Sequence, residues 1–162
     1  MYAICDLDEV PIYVGQSVDG IRARVRRHLT SARSDIIANR QVDVWEFAYV
    51  WAWPCEDASC IGVLEASLFH EFDAQSTLMN GSIPPKPGPL TFSVPEKVRV
   101  QLLPSEEIKI RREPSRRLPR QSQFYFQLLD HILNVKDSPE LRRSLQAHFN
   151  RLIKYHQHFM GV

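Results

Sequence analysis

The sequence predicts a mixed α/β fold of the α+β kind: a small, mostly antiparallel three-stranded sheet flanked by helices, followed by a largely helical C-terminal extension. Three observations predict it. Short apolar runs with strand character stand at 2–7, 11–15 and 42–53, bounded by turn residues or proline. Between and after them, apolar residues recur at helical steps. Past residue 90 the character changes to one more strand-like run, a basic stretch and two helical patterns. With 162 residues, the chain has room for one domain and a small appendage. We therefore expect a first unit at 1–90 and an extension at 91–162.

Residues 2–7, Tyr-Ala-Ile-Cys-Asp-Leu, read as the first strand and residues 11–15 as the second, with Asp8-Glu9 as the turn of a hairpin. From Asp19 to about Ser34, Ile21, Val25 and Leu29 stand four apart, the apolar stripe of an amphipathic helix. Its other faces carry Arg22, Arg24, Arg26, Arg27 and His28. The run 42–53 holds Val42, Val44, Trp45, Phe47, Tyr49, Val50, Trp51 and Trp53, the strongest strand signal in the chain, and Pro54 ends it. We expect it at the centre of the sheet, with its tryptophans in the core. A second helix is expected from about Ser59 to Asp73, burying Ile61, Leu64, Leu68 and Phe69. Asn80-Gly81 marks a turn, and the prolines at 84, 85, 87 and 89 mark an irregular stretch.

Residues 96–103 suit one more strand. Residues 109–120 are basic and broken by proline. A helix over about 122–135 follows, and another begins at Ser138-Pro139-Glu140, where serine suits an N-cap and proline the first turn. The late histidines, His148, His156 and His158, are expected at the surface rather than around a metal.

Composition excludes little but narrows the field. The formal net charge is only +1, so no overall basic field announces an acidic partner, and local charge must carry such an argument. No apolar run approaches the length of a membrane span, and no signal-peptide pattern opens the sequence. The cysteines, Cys5, Cys55 and Cys60, are odd in number and lack zinc-site spacing, which suggests reduced thiols in a cytoplasmic setting.

One set of residues carries chemistry. Tyr2 and Tyr13-Val14-Gly15 sit on the two hairpin strands; Arg24 and His28 share a helix face at i,i+4; Glu65 lies on the next helix and Asn80 after it. In this order they resemble the GIY-YIG nucleases, and among these the small stand-alone, restriction-endonuclease-like members. The resemblance covers about residues 1–82. It departs from the family pattern at the first motif, where Met1 and not Gly-Ile precedes Tyr2.

The resemblance implies a metal-dependent endonuclease acting on double-stranded DNA, leaving 5′-phosphate and 3′-hydroxyl ends. It assigns catalysis to Tyr2, Tyr13, Arg24, His28, Glu65 and Asn80, with Glu65 holding Mg²⁺ or Mn²⁺. The physics suits these assignments. The transition state of phosphodiester hydrolysis gains negative charge and needs cations aimed at it. A hard divalent ion prefers carboxylate oxygen, and an arginine fork binds a phosphate oxygen as a fixed charge. Tyr2 would take the proton of the attacking water. Ionising a free tyrosine at pH 7 costs roughly 4 kcal/mol, a cost that Arg24 and the metal would lower. Histidine titrates near neutrality, so His28 is expected to support Tyr2 or Tyr13 rather than attack water itself. Asn80 would position the substrate or the loop beside the metal.

Arg22 and Arg27 are expected to make non-specific phosphate contacts. The stretch 109–120 has two readings: Lys109, Arg111, Arg112, Arg116 and Arg117 track the DNA backbone, or they form a solvated connector. A site that nicks one strand needs two copies or two visits to break a duplex, so a homodimer is one expectation, with the C-terminal helices as its contact. The rival readings are a catalytically inactive nucleic-acid-binding or interaction module on the same fold, and a structure-specific or RNA-directed nuclease.

Overall fold

Strands β1 (Tyr2–Cys5) and β2 (Pro11–Gly15) form the expected antiparallel hairpin, in register Tyr2 to Gly15 and Ile4 to Tyr13. The turn is closed from within: the Asp6 carboxylate accepts from the backbone N–H of Asp8 and Val10, and Glu9 takes a positive φ of 62°. The structure, a computed structural model, describes residues 1–17, 20–30, 41–55 and 57–162, without the side chains of 27, 29 and 30. Within these, helix α1 spans Ile21–Thr30, β3 Tyr49–Ala52, α2 Ile61–Gln75, β4 Val98–Gln101, α3 Ser105–Arg112, α4 Pro114–Asn134 and α5 Pro139–Met160.

The sheet has four antiparallel strands in the order β2-β1-β3-β4, one more than expected. The added strand is the run expected at 96–103, which pairs with β3 from Tyr49 opposite Gln101 to Ala52 opposite Val98. Without it, β3 would present a row of open N–H and C=O groups. Cross-strand pairs tie it down: Arg99 meets Glu9 and lies over the Tyr49 ring, and Lys97 lies over Trp51.

The run 42–53 is shorter as a strand than expected. Asp43 accepts from the N–H of Trp45 and caps a 3-10 turn at Val44–Glu46, so pairing with β1 begins only at Tyr49. The basic stretch 109–120 is not irregular. It ends α3 and begins α4, with Pro114 in the first turn, where no backbone donor is lost, and Pro119 inside the helix. The start expected for α5 is found: the Ser138 hydroxyl accepts from Leu141 N–H. The portion of the first helix expected beyond residue 30 lies outside the described residues.

Both faces of the sheet are covered. Ala3, Val14 and Trp53 pack with Ile61, Leu64, Leu68 and Phe69 of α2, and Trp51 packs against Phe72 of the same helix. On the opposite face Tyr2, Ile4 and Val50 pack with Val25 of α1 and Ala147 of α5. Alternate residues of β1 thus feed two cores, as a two-residue period requires. A second tie is ionic. Arg117 of α4 and Arg151 of α5 converge on Asp6, with Asp8, Glu46 and the Tyr155 hydroxyl completing the cluster. Among the described residues no helix is long and apolar enough to cross a membrane.

Candidate active site

Tyr2 is fully buried on the α1 side of the sheet, and its hydroxyl lies 2.9 Å from Nε2 of buried His28. The Tyr13 ring completes a triangle, its centroid 6.4 Å from Tyr2 and 5.8 Å from His28. Gly15 makes the approach possible, because a Cβ there would fall 2.7 Å from the Tyr2 hydroxyl oxygen. Burial pushes the Tyr2 pKa above the ordinary tyrosine range, with Tyr13 adding to the rise, while the hydrogen bond and charge of Arg24 pull back. Arg24 keeps one donor in reserve: its Nε is buried and has no hydrogen-bond partner among the described residues. These four groups come from two neighbouring elements, the hairpin and α1, and helical spacing puts Arg24 and His28 on the face turned to the strands.

Asn80 arrives on the chain that follows α2. Its amide holds the outer edge of β2 from both sides: Oδ1 accepts from Val14 N–H at 2.9 Å, and Nδ2 donates to Val14 O at 2.7 Å. Met79 N–H donates to Ile12 O beside it. The Asn80 side chain is therefore committed to joining the loop to the strand.

Glu65 is half-buried on α2. It shares a cleft of about 330 Å³ with Tyr13, Phe69, Asn80 and Ile83. Tyr13 and Glu65 thus face one space, and burial raises the Glu65 pKa above the usual carboxylate range. Glu140, at the start of α5, borders the same cleft. Nothing local in the sequence marks it, since it reads only as a first-turn acid of a helix. Among the described residues no three His, Cys, Asp or Glu side chains gather as a metal cage.

Three expectations need correction. Tyr2 was expected to meet the attacking water, but it is 0 % exposed, and Tyr13 is the tyrosine that borders the cleft. Arg117 was expected at phosphate, but it is 4 % exposed and its guanidinium is tied to Asp6, Asp8 and Glu46. The other cations of that stretch also have partners: Lys109 with Glu106, Arg111 with Glu107 and the Trp45 carbonyl, Arg112 with Asp8, and Arg116 with Glu113. Arg22 is exposed on α1, and the Arg27 side chain lies outside the described residues. His148, expected at the surface, is buried between the Phe124 ring and Gln41 O.

No protein-family model matches the chain, and neither a curated protein nor a solved structure was found similar to it.

Proposed function

We propose that the protein is a divalent-metal-dependent DNA endonuclease of the GIY-YIG kind, hydrolysing phosphodiester bonds to 5′-phosphate and 3′-hydroxyl ends. The observation that carries this reading is a convergence. The Tyr2–His28 hydrogen bond, the Tyr13 ring packed beside it and the cleft that Tyr13 shares with Glu65 and Asn80 join residues from the hairpin, α1, α2 and the loop after it. A chance scatter of surface tyrosines, arginines and acids has no reason to do this.

The donor set fits a hard divalent ion. One half-buried carboxylate on an open cleft suits Mg²⁺ or Mn²⁺, which keep several waters and need few protein ligands. When bound, such an ion supplies charge to the scissile phosphate and stabilises the leaving oxygen. The side chains do the rest. The Arg24 Nε, without a partner among the described residues, is a buried donor that a non-bridging phosphate oxygen would satisfy. Tyr13 takes the proton of the attacking water at the cleft. Tyr2 and His28, bonded to each other behind it, fix that ring and offer the proton a route inward. Asn80 holds the strand edge that carries Tyr13.

The test is a supercoiled plasmid with Mg²⁺ or Mn²⁺, with and without chelator. Metal-dependent nicking is expected, and Glu65→Gln is expected to lower it about 100-fold or more, the scale of losing a group aimed at transition-state charge. Tyr13→Phe is expected to lose more activity than Tyr2→Phe. Plasmid left supercoiled under every metal while still retarded on a gel would favour a binding module, the reading that the full burial of Tyr2 supports. Branched, single-stranded and RNA substrates in the same assay separate a structure-specific or RNA-directed enzyme.

A further inference from the structure

The loop that carries Asn80 is gripped along its length by one face of α5. Glu140, Arg143 and Ser144 stand three and four residues apart, so they share that face. The Glu140 stem packs so closely on Gly81 that a Cβ on the glycine would lie 2.6 Å from it. The Ser144 hydroxyl donates to Met79 O at 2.9 Å. Arg143 reaches furthest: its Nε donates to Asn80 O at 3.0 Å, and its guanidinium pairs with Asp73 near the end of α2 while lying over the Phe69 ring. Asp73 in turn accepts from Leu78 N–H at 2.8 Å. One cation thus joins α5, the helix that bears Glu65, and the loop that holds β2.

From this we propose that Arg143 is a positioning residue for the cleft. It fixes the Asn80 backbone, so that the Asn80 amide stays on Val14 and the neighbouring Tyr13 stays in register with Glu65. The proposal rests on the nuclease reading above for its functional consequence, but its structural content is separate. The C-terminal helix is then a part of the site, built from a residue about 60 positions beyond the motif that it supports. The link is physical, three hydrogen bonds running from α5 through Asn80 to β2, and displacements of about 1 Å in a catalytic arrangement are enough to cost rate.

The experiment uses the full chain and compares wild type with Arg143→Ala, Arg143→Lys and Arg142→Ala. Arg142 is exposed and pairs with Asp137, away from the loop, so it serves as the control. Two readouts are taken: the side-chain NH₂ signals of Asn80 in nitrogen-15 NMR spectra, assigned by their loss in Asn80→Asp, and the kcat and KM of plasmid nicking. In Arg143→Ala the Asn80 signals are expected to move to the position of a solvent-exposed amide. kcat is expected to fall about 10-fold, with KM within about 2-fold, because the change is in alignment and not in binding. Arg143→Lys keeps the charge beside Asp73 and is expected to recover part of both; Arg142→Ala is expected to match wild type. Unmoved Asn80 signals in Arg143→Ala overturn the proposal, whatever happens to kcat. If that variant does not fold, Arg143→Lys is read by the same two criteria. A wild-type protein that never nicks DNA overturns the nuclease reading instead, and the NMR result still decides the role of Arg143 in holding the loop.

Discussion

A methyl group on Gly15 would press against the hydroxyl oxygen of a tyrosine that has nowhere to go, because Tyr2 is sealed between β2 and α1. Gly15→Ala is therefore expected to break the 2.9 Å Tyr2–His28 bond while the strand itself persists. Nicking should fall about 10-fold or more, the usual scale for displacing a group from a catalytic arrangement, with an unchanged far-ultraviolet circular dichroism spectrum. Full activity in Gly15→Ala would remove Tyr2 from the mechanism. The sequence made this part of the site readable because the signals are local: Tyr13-Val14-Gly15 is contiguous, and Arg24 and His28 stand one helical turn apart. Glu65 was readable as an acid on the next helix. Depth was not readable. Whether a strand tyrosine faces a cleft or a core depends on what covers it, and the cover for Tyr2 comes from α1 and, across the same face, from α5. For the same reason the sequence leaves open whether Asn80 forms a turn, meets substrate or positions the loop, and only the fold shows its amide closing the free edge of β2.

The helix α4 shows what a run of like charge conceals. Its basic start suggested DNA, because the carboxylates that neutralise it lie elsewhere in the chain: Asp6 and Asp8 in the hairpin turn and Glu46 before β3. Burial raises the Glu46 pKa even against the charge of Arg117. At Asp8 burial also opposes ionisation, but the charge and hydrogen bond of Arg117 outweigh it and hold the carboxyl below the usual range. Removing the arginine leaves Glu46 buried without the cation it pairs with and takes one of two arginines from each of Asp6 and Asp8. Arg117→Ala is expected to destabilise the fold by about 3–5 kcal/mol in a urea titration, whereas exposed Arg116→Ala should stay within about 0.5 kcal/mol. Equal, small effects for both would mean that the cluster does not hold α4 to the hairpin. The helical periodicity of α4 and α5 and the N-cap Ser138 were legible, as was the strand character of 98–101. The pairing of that strand with β3 was not, since register depends on a neighbour more than forty residues away.

At the scale of the whole molecule, α5 joins the start of the β3 segment to the rest through His148, whose Nε2 meets Gln41 O at 2.9 Å inside the fold. Burial holds its pKa below the ordinary histidine value, against the smaller pull of Gln41 O and Asp43. A depressed histidine binds its proton less readily folded than unfolded. Stability is therefore full above about pH 6.5, where neither state is protonated, and falls as the pH drops below it, because the unfolded chain gains a proton that the folded one resists. The slope for one such proton is at most about 1.4 kcal/mol per pH unit. Urea midpoints at pH 7.5, 6.5 and 5.5 should decline in wild type and flatten in His148→Gln; parallel declines in both would assign the acid sensitivity to other groups. The outer side of the α4–α5 pair raises the question of a second copy. Phe126 and Leu133, 65 % and 72 % exposed, stand seven residues apart on α4, and Phe149 and Ile153 stand four apart on α5, with Phe149 touching Tyr125 across the seam. Together these side chains leave on the order of 400 Å² of apolar surface in water, the size of the largest apolar patch on a typical monomer and one that often marks a contact. Pairing two such faces about a twofold axis would bury about 800 Å² of apolar area, which at the usual apolar share implies a contact of roughly 1,300 Å², the lower end of the range for a stable, specific interface. Sedimentation at micromolar concentration is expected to give a dimer, and Leu133→Glu, remote from the cleft, a monomer that still nicks DNA but linearises it more slowly. A monomeric wild type would leave the second strand to a second encounter.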